Sequence, residues 1–182
     1  MIVISNKSKT RVGFYETNSS STHSLSIGKL KVIEPKPLVE NGVLKVANLF
    51  EEPTCTRYGD ITKFRCPDFA SKVAFISASI QGLDMYCLEG VGLQNLTKGE
   101  LVKFKLYLQD LLLAEIKCEY IRSITTCKSG VTSYFDSGDN FGLRSPDANG
   151  EVTKQSIRLQ LLKLCRVAKE DGMEINYYSE YY

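Results

Sequence analysis

Thr97-Lys98-Gly99-Glu100-Leu101-Val102-Lys103-Phe104-Lys105-Leu106-Tyr107-Leu108-Gln109-Asp110-Leu111-Leu112 is the stretch whose reading decides the fold. Thr97 to Glu100 has the form of a capping box. The threonine hydroxyl accepts from a first-turn amide and the glutamate carboxylate reaches back to the cap. Leu101, Phe104, Leu108, Leu111 and Leu112 then recur at helical spacing on one side. The pattern predicts a helix that ends near Lys117.

Two further helices flank this one in sequence. The first is expected from Pro67 or Asp68 to about Gln81, with proline in its first turn, Gly82 at its end and a stripe of Phe69, Val73, Ile76 and Ile80. The second should span about Thr153 to Glu170, with Ile157, Leu161, Leu164 and Ala168 on one face and Gly172 at the stop. Short strands are expected at Arg11 to Tyr15, Leu25 to Ile27, Lys31 to Ile33 and Val43 to Phe50. Pro35 and Pro37 favour an extended edge or turn, and Asn41-Gly42 would form a type I′ turn if paired strands flank it. Residues 51–66 read as a loop and 83–93 as ambiguous. Strands follow at Glu119 to Thr125 and Val131 to Phe135, with a turn at Lys128-Ser129-Gly130, then a polar loop from Asp136 to Gly150, and Met173 to Tyr178 as a last strand. The order is strands, helix, helix, strands, helix, strand. It predicts an α+β fold, a mixed or mainly antiparallel sheet with about three helices packed on it, in a single domain covering residues 1–182.

The bulk composition narrows the classes. With 43% apolar and 24% charged residues the chain is close to the globular average, which argues against disorder. The 23 Lys and Arg against 21 Asp and Glu give +2, less basic than a dedicated nucleic-acid domain, although a local basic face would not show in that figure. No apolar run reaches the roughly 20 residues that span a bilayer. Met1 to Arg11 lacks the order of a secretory signal, so a cytoplasmic location in the cell that makes the protein is expected. The six cysteines are then expected as free thiols.

The most distinctive segment is Phe14-Tyr15-Glu16-Thr17-Asn18-Ser19-Ser20-Ser21-Thr22-His23-Ser24, which holds the only histidine. Ser21 or Ser24 beside His23 could form a nucleophile–base pair. Neighbours on a strand point to opposite faces, however, and no orienting third group can be placed. The other reading is a capped turn in which Asn18 and the hydroxyls satisfy loop amides, and this is the favoured one.

Arg11, Phe14 and Glu16 through Ser24 without a gap resemble the ETNSSSTHS signature near the N-terminus of many uncharacterised proteins of phages and prophages. Tyr58-Gly59-Asp60 with the helix over 72–79 resembles a downstream part of the same proteins. Tyr134-Phe135-Asp136 resembles a late strand that often ends in Asp-His, with Ser137 here in the histidine's place. The resemblance implies a phage or mobile-element origin. By analogy of size and type it points to an inhibitor of a host defence nuclease, such as a type II anti-CRISPR protein that blocks Cas9. The implied partner is a host protein, Cas9 or its guide-RNA complex.

Other features admit several chemistries. No cofactor is expected; zinc is an alternative, and His23, Cys55, Cys66 and Cys87 would be its ligands. No cysteine pair has knuckle spacing, and buried thiols explain the set as well. Gly90-Val91-Gly92 and Gly138 to Gly142 do not complete a phosphate loop. Asp136, Asp139 and Asp147 lack calcium-loop spacing. Lys63-Phe64-Arg65 and Lys103-Phe104-Lys105 interleave basic and aromatic residues, as a face gripping nucleic acid would, or as a solvated rim around a core ring. Tyr177, Tyr178, Tyr181 and Tyr182 suit a contact surface, a homodimer included. The leading expectation is therefore a binding protein that acts without turnover. The alternatives are an enzyme acting on a nucleotide or nucleic acid through the His23 segment or the Asp136 loop, and a zinc-stabilised accessory protein.

Overall fold

Asp68 opens helix α1 (Phe69–Gln81) by accepting the Ser71 amide on its carboxylate at 2.9 Å. Nearly every side chain of α1 is apolar or small, and Lys72 is its one charged residue. A helix of that composition can be covered on all sides. In the computed structural model, which describes residues 2–6, 11–12, 31–46, 61–83, 93, 96–125, 143 and 152–180, every residue from Ser71 to Ile80 is buried. The expected stripe of Phe69, Val73, Ile76 and Ile80 is therefore too narrow: α1 is the centre of the core. Pro67 precedes the cap and lies outside the first turn.

Around α1 pack helix α2 (Lys98–Ile116), helix α3 (Lys154–Lys169) and a five-stranded sheet. Both outer helices start with reciprocal caps. The Glu100 amide donates to Thr97 Oγ1 at 3.2 Å while the Thr97 amide donates to Glu100 Oε2 at 2.7 Å. That amide bond, received first from the Thr97 backbone, holds the Glu100 carboxyl below its usual range. Thr153 and Ser156 exchange the same pair of bonds at the head of α3. α2 buries Leu101, Phe104, Leu108, Leu112 and Ile116, and Leu111 is half-buried. Lys117 closes it in the left-handed conformation, φ 38°. α3 buries Ile157, Leu161, Leu164 and Ala168, as its periodicity requires.

The larger sheet has the order β2–β1–β8–β6–β3, from β1 (Ile2–Asn6), β2 (Arg11–Val12), β3 (Lys31–Ile33), β6 (Ile61–Cys66) and β8 (Met173–Glu180). Only the β3–β6 pair is parallel. A second sheet, β4–β5–β7, joins β4 (Leu38–Glu40), β5 (Val43–Lys45) and β7 (Ser123–Thr125), with β5 parallel to β7. The fold is thus α+β, with three helices and mixed sheets among the described residues. Asn41 (φ 52°) and Gly42 (φ 81°) form the two-residue connection between β4 and β5, so the expected type I′ turn is present. Gly42 also accepts the amides of Arg122 and Ser123, and a Cβ there would meet the Arg122 side chain at 3.2 Å.

Three expectations need correction. Residues 61–66 are not loop but β6, an inner strand. Residues 2–6, where the sequence reading places no element, form β1. The strand expected over Glu119 to Thr125 narrows to Ser123–Thr125. The expected strands at Leu25 to Ile27 and Val131 to Phe135, the 83–93 region beyond its ends and the Asp136 to Gly150 loop other than Leu143 lie outside the described residues.

Lys72 links these parts. Its buried ammonium donates to the carbonyls of Val167 (3.2 Å), Glu170 (3.1 Å) and Met173 (3.1 Å). It thereby adds a donor to carbonyls at the C-terminus of α3 and ties the turn through Gly172 (φ 81°) to β8. Desolvation lowers its pKa from the ordinary 10.5. Lys72→Met should cost about 2–3 kcal/mol of unfolding free energy, since three buried or part-buried carbonyls each lose one hydrogen bond. Between the lowered folded value and 10.5 the unfolded chain keeps a proton that the folded chain has released, so the wild type gains stability with rising pH there. Urea titrations across alkaline pH should show that gain as the wild type's stability rising relative to that of Lys72→Met, in which the other titrating groups are unchanged.

Candidate functional site

The alternation along β6 and β8 splits the larger sheet into two faces. Cys66 and Ile175 are fully buried toward the helices, whereas Arg65 is exposed on the opposite face. The register sets Lys63 opposite Tyr178, Phe64 opposite Tyr177 and Arg65 opposite Asn176. Lys63, Arg65 and Tyr178, far apart in sequence, therefore share one face of adjacent strands, while Tyr177 takes a position on the other face with Ile175. Arg65 is held by two carboxylates. Its Nε and Nη2 donate to Glu174 at 3.2 and 2.9 Å, and its Nη1 donates to Glu34 at 3.1 Å. Glu174, then Glu34, raises the guanidinium pKa further. The bidentate fork fixes the side chain on the sheet. It also means that Arg65 is not a spare cation for phosphate: the cluster has two carboxylates for one guanidinium.

The basic pair on α2 divides differently. Lys105 donates to the Gln81 carbonyl at 2.6 Å, capping the end of α1, while Lys103 stands on the exposed side. The ring of Phe104 is buried between them with Lys154 Nζ 5.8 Å from its centroid, the core-plus-rim arrangement.

The described residues also form a groove of about 590 Å³ where the ends of three helices meet. Asp68, Phe69 and Lys72 of α1, Cys118 and Tyr120 after α2, and Asp171 after α3 line it. Phe69 and Tyr120 make an edge-to-face pair at 5.7 Å. Burial, then the neighbouring Cys118, pushes the Tyr120 hydroxyl up. The polar groups here already have structural work: Asp68 caps α1 and Lys72 holds three carbonyls. The sequence singled out none of these groove residues, because the three segments are dispersed along the chain.

The remaining expected site residues separate clearly. Arg11 lies in β2, paired through Ser5. Phe14, Glu16, Thr17, Asn18, Ser19, Ser20, Ser21, Thr22, His23 and Ser24 lie outside the described residues, as do Cys55, Cys87, Tyr181, Tyr182, Tyr58 to Asp60 and Tyr134 to Ser137. Of the expected zinc ligands only Cys66 is described. It is fully buried and its thiol is pushed up by desolvation, then by Asp68, an environment that disfavours the thiolate a metal needs. Among the described residues no group of three or more His, Cys, Asp or Glu side chains could hold a metal ion. Nor is any helix among them long and apolar enough to cross a membrane.

No protein family, curated protein or solved structure matches this chain. The thiols provide a direct check of the geometry. Cys66 and Cys165 are fully buried, with Cys165 pushed up to about 12 chiefly by burial, while Cys118 is half-buried at the groove. A small alkylating reagent under native conditions should modify Cys118 before Cys66 and Cys165, which should react only on unfolding. Peptide mass spectrometry reads the order.

Proposed function

We propose that the chain is a binding protein that occupies a surface of a macromolecule without turnover. Its target is a host defence nuclease, with Cas9 or its guide-RNA complex as the specific case, blocked at DNA loading or at conformational activation. The observation that carries this reading is the β6–β8 face. The positions of Lys63, Arg65 and Tyr178 meet there on inner strands, and Arg65 is immobilised by Glu34 and Glu174. A pre-ordered patch loses little side-chain entropy on docking. Arginine and tyrosine are the residue types enriched where interfaces concentrate their energy. The groove residues support the same reading in another way, since their charged groups are committed to helix caps and carbonyls. The phage-like signature in Arg11, Phe14 and Glu16 to Ser24 supplies the class of target by resemblance.

A titration of the purified chain into a DNA-cleavage assay with guide-loaded Cas9 tests this. Cleavage should fall to completion at a fixed molar ratio. Arg65→Ala should weaken inhibition about tenfold or more at unchanged thermal stability, and His23→Ala should leave it intact. Full cleavage at large molar excess, or turnover of a nucleic acid by the chain alone that His23→Ala abolishes, would contradict the reading.

A further inference from the structure

We infer that the outer face of α2 is a self-complementary surface on which a second copy of this chain docks, antiparallel, about a two-fold axis between Leu106 and Tyr107. Gly99, Val102, Lys103, Leu106, Tyr107, Asp110 and Ala114 all lie on the exposed side of α2. At its middle are three large apolar side chains left open to solvent: Val102 is 56% exposed, Leu106 60% and Tyr107 45%. Leu106 follows Val102 by one turn, and Tyr107 flanks Leu106 on the same exposed side. Arg158 Nε donates to the Tyr107 hydroxyl at 3.0 Å, so the ring is held in place before any partner arrives.

What commits this face to a second copy is its sequence symmetry. A two-fold axis between Leu106 and Tyr107 sets Leu106 of one copy against Tyr107 of the other. One turn outward it sets Lys103 against Asp110, and a further turn outward Gly99 against Ala114. An isologous contact requires this reciprocity, in which residue i meets j and j meets i. Apolar meets aromatic at the centre, each cation meets a carboxylate on both sides, and small residues meet where the backbones must come closest. Among the described residues neither Lys103 nor Asp110 belongs to an ion pair of its own chain. The antiparallel arrangement also opposes the helix dipoles favourably.

Gly99 fits the same docking. It is the second residue of α2, next to the cap, and its backbone needs no positive φ. Among the described residues a Cβ there would find nothing within 4 Å, so the helix surface is open at this point to a second backbone.

Sedimentation of the full chain from low micromolar to several hundred micromolar tests the inference. A dimer should form with rising concentration. Lys103→Asp and Asp110→Lys should each weaken it about tenfold, because each sets two pairs of like charges across the axis. An equimolar mixture of the two variants should recover association as a heterodimer, and the doubly exchanged Lys103→Asp, Asp110→Lys chain should dimerise like the wild type. Gly99→Leu should keep its thermal stability and lose association. A chain that remains monomeric throughout, or a dimer that none of these substitutions alters, would overturn the inference. So would single variants that fail to recover on mixing.

Discussion

The complete burial of α1 is the constraint on which the rest of the structure depends. A helix with no solvent-facing side must have an apolar neighbour in every direction and a partner for each polar atom it carries. The five-stranded sheet, the second sheet's β5 and the helices α2 and α3 supply the neighbours. The polar demands are met locally: Ser79 donates to the Phe75 carbonyl at 2.9 Å, and Gln109 of α2 donates to Ser77 Oγ at 2.7 Å. Lys72 answers the largest demand by giving its three protons to carbonyls at the end of α3 and the start of β8. One buried cation thus ties the central helix to the strand that carries Glu174 and the tyrosines. The position of the β6–β8 face follows from the core.

Elements whose signals are local were legible in the sequence. Helices α2 and α3 needed only a periodic apolar set, and the cap expected from Thr97 and Glu100 at the head of α2 is present. Asn41-Gly42 needed only two residues able to take positive φ. The strand β6 was missed although Ile61-Thr62-Lys63-Phe64-Arg65-Cys66 alternates. The alternation of basic and apolar positions was read as a nucleic-acid pattern rather than as the two faces of a strand. The helix α1 was given one face because its apolar periodicity was sought. Its real signal was the near absence of charge over 69–81, which leaves nothing to keep any side in water.

The candidate sites were harder to read for a related reason. Arg65 and Glu174 are 109 residues apart, and only the β6–β8 register brings them together. The groove is assembled from three chain segments that share no periodicity and no motif. The outer face of α2 was hidden in a different way, because the helical stripe of Leu101, Phe104 and Leu108 gives Val102, Leu106 and Tyr107 no place, and only their exposure marks them as a second apolar face.

Native-state hydrogen exchange tests the central claim most directly. If α1 is the enclosed centre of the fold, its amides from Val73 to Ile80 should be the slowest in the chain, exchanging only through global unfolding at a free energy that matches denaturant titration. Faster exchange in α1 than in α2 or α3, or an α1 that opens at a fraction of the global free energy, would contradict the account.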